Sequence, residues 1–177
     1  MRHNLTRETL RALMNEVARA APRGSARRVF LLGGGTAVLE GWRDSTIDAD
    51  LHADDVGVFG NIQRIKERVG VNVEFVRPED FVPPLNGSED RHVFIETIRD
   101  VSFYHYDPYA QLLSKVVRGF ARDTQDAENL VGSGMVDGQR FRQLVASIPQ
   151  SAYASYPALS PEAVGAAVDD FLTRVTD

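Results

Sequence analysis

The spacing of apolar residues predicts alternating helices and short strands over the first hundred residues. Apolar positions recur every three or four residues in 6–21 and in 58–69, which is typical of helices with one buried face. Strict alternation of apolar and polar residues in 71–76 predicts a strand. A short helix is predicted at 36–42, and further strands at 28–32, at 48–52 and as two segments within 92–106.

Helical spacing dominates the last seventy residues. The predicted helices are 109–131, 138–148 and 161–175, and Asp107-Pro108 is a favourable start for the first of them because proline fits the first helical turn. Strands followed by helices indicate an α+β fold. We therefore predict a small mixed β-sheet core with flanking helices in residues 1–106 and a helical C-terminal lobe in residues 107–177, together forming one compact two-lobed unit.

Length, composition and charge narrow the class of protein. The chain has 177 residues and no cysteine, and it lacks an apolar run of the length that a membrane span requires. The first residues do not resemble a secretion signal, so a cytoplasmic protein without a membrane partner is expected. The net charge of -5 argues against indiscriminate binding to nucleic acid, although a local basic groove stays open.

A glycine turn and a pair of aspartates are the strongest candidates for chemistry. The apolar run 29–32 ends in Gly33-Gly34-Gly35, and Asp48 and Asp50 follow, separated by one small residue. Alternation along a strand places both aspartates on one face, where two carboxylates repel each other unless a cation binds. Magnesium prefers such oxygen ligands, and the backbone N–H groups of a glycine turn suit an anion.

The order of these residues resembles a known superfamily. Gly34-Gly35-Thr36, then Arg43 and Ser45, then Asp48 and Asp50, is similar to the polymerase-β-like nucleotidyltransferases, and most of all to the AbiEii-like and MenT-like toxin enzymes of prokaryotic toxin-antitoxin systems. This resemblance implies transfer of a nucleoside monophosphate from an NTP to an acceptor hydroxyl, with Mg²⁺ or Mn²⁺ as cofactor. It also implies a tRNA 3′ end or a protein hydroxyl as acceptor, and a cognate antitoxin as partner.

The resemblance extends to further candidate residues. Glu74 is expected to join Asp48 and Asp50 as a third metal-binding carboxylate and to act as base. Lys115 is expected to contact phosphate, and Asp123 or Asp126 to hold a basic side chain or the nucleotide. The residues expected to contact the nucleotide are Gly34, Gly35, Thr36, Arg43, Ser45, Arg118, Arg122, Asp123 and Asp126.

Helical geometry supports the second group of candidates. If residues 109–130 form one helix, a stripe of four apolar residues is buried, and a charged line faces away from the core. The buried stripe is Leu113, Val116, Val117 and Phe120, and the charged line is Lys115, Arg118, Arg122 and Asp126. The alternative is an ordinary charged helix face without a ligand.

Two other functions stay open from the sequence. A small-molecule nucleotidyltransferase of the antibiotic-modifying type would share the aspartate pair and present an acidic acceptor pocket. A catalytically silent nucleotide-binding module would keep the fold without binding metal.

Overall fold

The structure is a computed structural model that describes residues 2–176 and divides into two compact units. The first unit contains the chain up to Arg77 and the segment Val93–Tyr106. The second contains Pro78–His92 and the chain from Asp107 onward. Strands occur in the first unit and helices dominate the second, so the predicted α+β class is confirmed.

A mixed five-stranded sheet forms the centre of the first unit. Its strand order is β5-β4-β2-β7-β6, with β2 parallel to β7, β4 parallel to β5, and antiparallel pairs elsewhere. A separate antiparallel pair joins β1 to β3. The strands are β1 (Leu5–Thr6), β2 (Arg27–Leu32), β3 (Ser45–Thr46), β4 (Asp48–Ala53), β5 (Asn72–Phe75), β6 (Val93–Ile98) and β7 (Val101–His105).

The hydrophobic core of the first unit lies between its helices and one face of the sheet. They are α1 (Arg7–Ala20), α2 (Gly33–Leu39) and α3 (Ile62–Val69), and a short 3₁₀ helix, Val56–Phe59, precedes α3. Thr6 caps α1 by accepting a hydrogen bond from the backbone N–H of Thr9, and Gly70 ends α3 with a left-handed φ of 75°. The helix predicted over 58–69 is interrupted, because the 3₁₀ helix ends at Phe59 and α3 begins at Ile62. The helix predicted from Thr36 begins three residues earlier, at Gly33.

In the described residues, the second unit contains four α-helices packed around apolar side chains. Asp107 is fully buried and caps the first helix by accepting a hydrogen bond from the backbone N–H of Tyr109 at 3.0 Å. The same carboxylate pairs with the guanidinium of Arg91 at 2.7 Å. The helices are α4 (Pro108–Arg118), α5 (Ala121–Gly132), α6 (Gly138–Ala146) and α7 (Pro161–Thr176). Of the helices in residues 2–176, none combines the length and apolarity needed to cross a bilayer.

The single helix predicted over residues 109–130 is wrong. Gly119 adopts a left-handed φ of 67°, which ends α4, and α5 begins as a separate helix at Ala121. The predicted stripe is buried at Leu113 but not at Phe120, which is 56% exposed, and Lys115 of the predicted charged line is only 8% exposed.

Candidate functional site

Asp48 and Asp50 lie on the same face of β4. Both are half-buried and alternate with the fully buried Ala49 and Leu51, as the period of a strand requires. In the parallel pairing of β4 with β5, Asp50 is opposite Glu74, which is exposed to solvent. Paired strands lie about 4.8 Å apart, so the side chains of Asp50 and Glu74 are neighbours on this face.

Asn72 orients the Asp48 carboxylate. Asn72 lies opposite Asp48 in the register, and its Nδ2 donates a hydrogen bond to Asp48 Oδ1 at 2.6 Å. The other end of the amide, Oδ1, accepts a hydrogen bond from Arg2 Nη1 at 2.8 Å. Because arginine only donates, this contact also defines which amide atom faces Asp48. Sequence reasoning missed Asn72 as a site residue, although alternation placed it on the face of Glu74.

Two of the three glycines are required by close packing against β3 and β4. A side chain on Gly33 would place its Cβ 2.5 Å from Asp50 Oδ2, and one on Gly34 would place it 2.2 Å from Thr46 Oγ1. Gly33 also has a positive φ of 52°, which other residues rarely adopt. At Gly35 a Cβ would meet nothing within 4 Å. The carboxylate of Asp50 thus lies directly against the turn that begins α2.

The remaining candidates near the turn have structural partners. Thr36 is buried, and its hydroxyl lies 3.0 Å from His105 Nδ1. Ser45 is half-buried in β3 opposite Thr6. Arg43 is half-buried, and its backbone N–H donates to Ala37 O. Their contacts with a nucleotide stay predictions.

His105 connects β7 to α2 inside the first unit. It is 2% exposed, and its Nε2 lies 2.7 Å from Glu40 Oε1. Burial lowers the pKa of His105 below its ordinary value of 6.5, whereas the hydrogen bond and the charge of Glu40 act in the opposite direction. Alternation with the buried Val101 and Phe103 was the sequence signal that could have identified this inward-facing histidine.

Lys115 is part of a buried ion cluster in the second unit. Its Nζ lies 3.1 Å from Asp126 Oδ2 and 3.6 Å from Asp123 Oδ1, and all three side chains are less than 10% exposed. An aspartate therefore does hold a basic side chain here, and that side chain is Lys115. The contact of Lys115 with phosphate stays a prediction.

The two neighbouring arginines lie outside the centre of this cluster. Arg118 Nε lies 3.6 Å from Asp123 Oδ2, and its guanidinium packs over the rings of Phe81 and Phe120. Arg122 is exposed in the first turn of α5. The two arginines thus belong to different helices and do not continue one charged line.

The sequence agrees with one protein family over most of its length. Residues 8–171 match the family described as "Nucleotidyltransferase of unknown function (DUF6036)". The chain belongs to this family. The predicted membership in a nucleotidyltransferase superfamily is thereby supported, and the matched range includes all of the candidate residues above. No curated protein and no solved structure matches the chain.

Proposed function

We propose that the protein transfers a nucleoside monophosphate from an NTP to a hydroxyl at the 3′ end of tRNA. The observation that carries the proposal is the placement of Asp48 and Asp50 on one partly open strand face, with Asp50 against the Gly33 turn. Family membership supports the reaction class. The likeness of the glycine and aspartate motifs to toxin nucleotidyltransferases supports the acceptor and a cytoplasmic toxin with an antitoxin partner.

The donor set of this face fits a magnesium ion. Asp48 and Asp50 offer carboxylate oxygens, and magnesium sites in proteins commonly use one or two carboxylates together with water and substrate phosphates. Among residues 2–176, no group of three or more His, Asp or Glu side chains is arranged as a metal site, so the third ligand that we propose, Glu74, would join through water or substrate. When bound, Mg²⁺ or Mn²⁺ neutralises triphosphate charge and lowers the pKa of an attacking hydroxyl.

The protein side chains have distinct proposed tasks. The hydrogen bond from Asn72 holds the Asp48 carboxylate in one orientation, so less entropy is lost in orienting it during the reaction. Glu74 accepts the proton of the acceptor hydroxyl, which its solvent exposure and its position opposite Asp50 support. Arg43 and Ser45 contact the triphosphate, because guanidinium and hydroxyl groups donate well to phosphate oxygens.

The candidates of the second unit complete the proposal. Lys115, Arg118 and Arg122 would donate to phosphate groups, and the ion pair of Lys115 with Asp126 would define the position of its ammonium group. Asp123 would support the same lysine.

The test is a transfer assay with α-phosphate-labelled NTPs, total tRNA and Mg²⁺. We expect label from one or more NTPs to appear on tRNA, with no label from γ-phosphate-labelled NTP, because the γ-phosphate leaves with pyrophosphate. Asp48→Asn and Asp50→Asn should each lower the rate at least about 100-fold, in the range reported for losing a transition-state electrostatic contact. The matched control is Glu67→Gln, which changes an exposed carboxylate on α3 and should leave the rate unchanged.

Each part of the proposal fails on a different result. Full activity of Asp48→Asn would remove the aspartate pair from the mechanism. Label on protein or on a small molecule, with none on tRNA, would overturn the acceptor and keep the reaction class. The toxin part predicts that expression of the wild-type chain arrests bacterial growth and that expression of Asp48→Asn does not.

A further inference from the structure

A row of four rings crosses the sheet on the face that carries the aspartates. The register aligns Phe94 of β6 with Tyr104 of β7, Tyr104 with Phe30 of β2, and Phe30 with His52 of β4. Neighbouring ring centroids lie 5.6, 5.7 and 5.8 Å apart along this row. These four residues, named here the ring row, thus form a row of neighbouring rings across four strands.

The ring row is adjacent to the proposed reaction site. His52 and Asp50 lie two residues apart on the same face of β4, which separates them by about 7 Å along the strand. On β2, Phe30 and Leu32 repeat this order, because Leu32 is the register partner of Asp50. A bound chain that ends at the aspartates and runs from them toward His52 would therefore pass over the ring row.

The ring row is open at the β6 end. Phe94 is 58% exposed, Tyr104 and His52 are half-buried, and Phe30 is buried, with the Tyr106 ring packed against it at a centroid distance of 5.7 Å. Exposed rings on a β-sheet are a common surface on which unpaired bases stack, because every base offers a flat face to them. Duplex bases are already stacked on both faces, so such a surface favours single strands.

Arg28 adds a planar cation beside the rings. Its guanidinium carbon lies 5.1 Å from the centroid of Phe30, and Nη2 lies 2.7 Å from Asp54 Oδ2. Guanidinium planes also stack on bases. Because Asp54 offsets the charge of Arg28, and the whole chain is acidic, the surface is suited to stacking more than to neutralising phosphates.

We propose that the ring row is a stacking platform for the unpaired bases that precede the 3′ hydroxyl of an RNA acceptor. The inference rests on the proposed function and specifies which side chains hold the acceptor. The terminal ribose lies at Asp48 and Asp50, and the preceding bases stack over His52, Tyr104 and Phe94. No covalent step beyond the proposed transfer is involved.

The test compares two equally exposed phenylalanines on opposite faces of the same sheet. Phe94 belongs to the ring row, whereas Phe75 is 53% exposed on the other face and packs on Phe59 with a centroid distance of 4.8 Å. The probe is a short fluorescent single-stranded RNA ending in CCA, titrated with wild type, Phe94→Ala or Phe75→Ala in the absence of NTP. We expect Phe94→Ala to weaken binding about tenfold and Phe75→Ala less than twofold.

Several results would overturn the platform. These are equal losses in the two variants, equal binding of a blunt duplex of the same sequence, and no binding of the single strand by the wild type. In the transfer assay, Phe94→Ala should raise KM for the RNA and leave KM for the NTP unchanged. A rise in KM for the NTP alone would assign the rings to the nucleotide and also overturn the inference.

Failure of the inference and failure of the proposed function give different results. Transfer to tRNA that is equally efficient in Phe94→Ala and Phe75→Ala would reject the platform and leave the function standing. Single-strand binding that depends on Phe94, without transfer in any assay, would reject the function and leave the platform as an RNA-binding surface.

Discussion

The two groups of charged side chains differ in how their charge is balanced. In the first unit, Asp48 lies on a half-open strand face, and its Oδ1 accepts a hydrogen bond from the neutral amide of Asn72. In the second unit, Lys115 is buried, and the carboxylates of Asp126 and Asp123 lie 3.1 and 3.6 Å from its ammonium group. An amide orients a carboxylate without neutralising it, whereas an ion pair cancels the charge.

This difference describes how the protein itself holds each group in place. Burying an ammonium group without a counter-charge is costly, so the two aspartates are required for Lys115 to occupy its place in the second unit. Asp48 is oriented by Asn72 on a face that solvent reaches, where the proposed cation would bind. The sequence suggested a ligand for both groups, and burial and partners show how differently their charges are balanced.

The largest expected effect is the loss of stability when Asp126 is replaced, and its absence would contradict the difference between the two groups. Asp126→Asn should lower the free energy of unfolding by about 3 kcal/mol, because it leaves Lys115 buried with only the more distant Asp123 as counter-charge. Asp48→Asn should change it by less than about 1 kcal/mol, since the amide keeps the shape of the half-exposed side chain. Urea unfolding followed by circular dichroism measures both.

The control for this pair is Asp169→Asn. Asp169 pairs with Arg142 at the surface, where both side chains are more than half exposed, so the loss should stay below about 1 kcal/mol. Equal destabilisation by Asp126→Asn and Asp48→Asn would contradict the distinction between the two groups.

The second prediction concerns the stability of variants at two glycines of the turn next to the aspartate face. Gly34→Ala should destabilise the protein by about 2 kcal/mol, because its Cβ would overlap Thr46 and push β3 away from α2. Gly35→Ala, one residue later in the same helix, meets open space and should stabilise by about 0.5 kcal/mol. Thermal unfolding of the two variants decides the point, and a stable Gly34→Ala protein would show that the close packing is not required.

The smallest effect concerns His105, the buried titratable group of the first unit. Because burial lowers its pKa, the unfolded chain binds a proton at a higher pH than the folded one. The contribution of neutral His105 to stability is therefore complete above about pH 6.5 and declines as the pH falls below that value. We expect His105→Gln to flatten the pH dependence of the unfolding free energy below about pH 6.5.

His3→Gln is the matched control for this titration, because His3 is exposed. The measurement is urea unfolding at several pH values. If the unfolding free energy depends on pH equally in the wild type and in His105→Gln, His105 does not contribute to that dependence.

Local pattern was sufficient for several parts of the fold. Asp48 and Asp50 share a face because alternation is a property of any strand, and Asp107 and Gly70 act as caps because their chemistry suits helix ends wherever they occur. The glycine and aspartate motifs also indicated the nucleotidyltransferase class, which the family match supports.

The sequence by itself thus determined the class of fold, most element positions and the aspartate pair, since these depend on residues close together in the chain. Tertiary structure alone decided that Asn72 orients Asp48, that four rings align across the sheet and that His105 is buried against Glu40. It also decided that residues 109–130 form two helices, which buries Lys115 between aspartates. Strand register and burial are settled by packing between distant segments, and no local pattern in the chain records them.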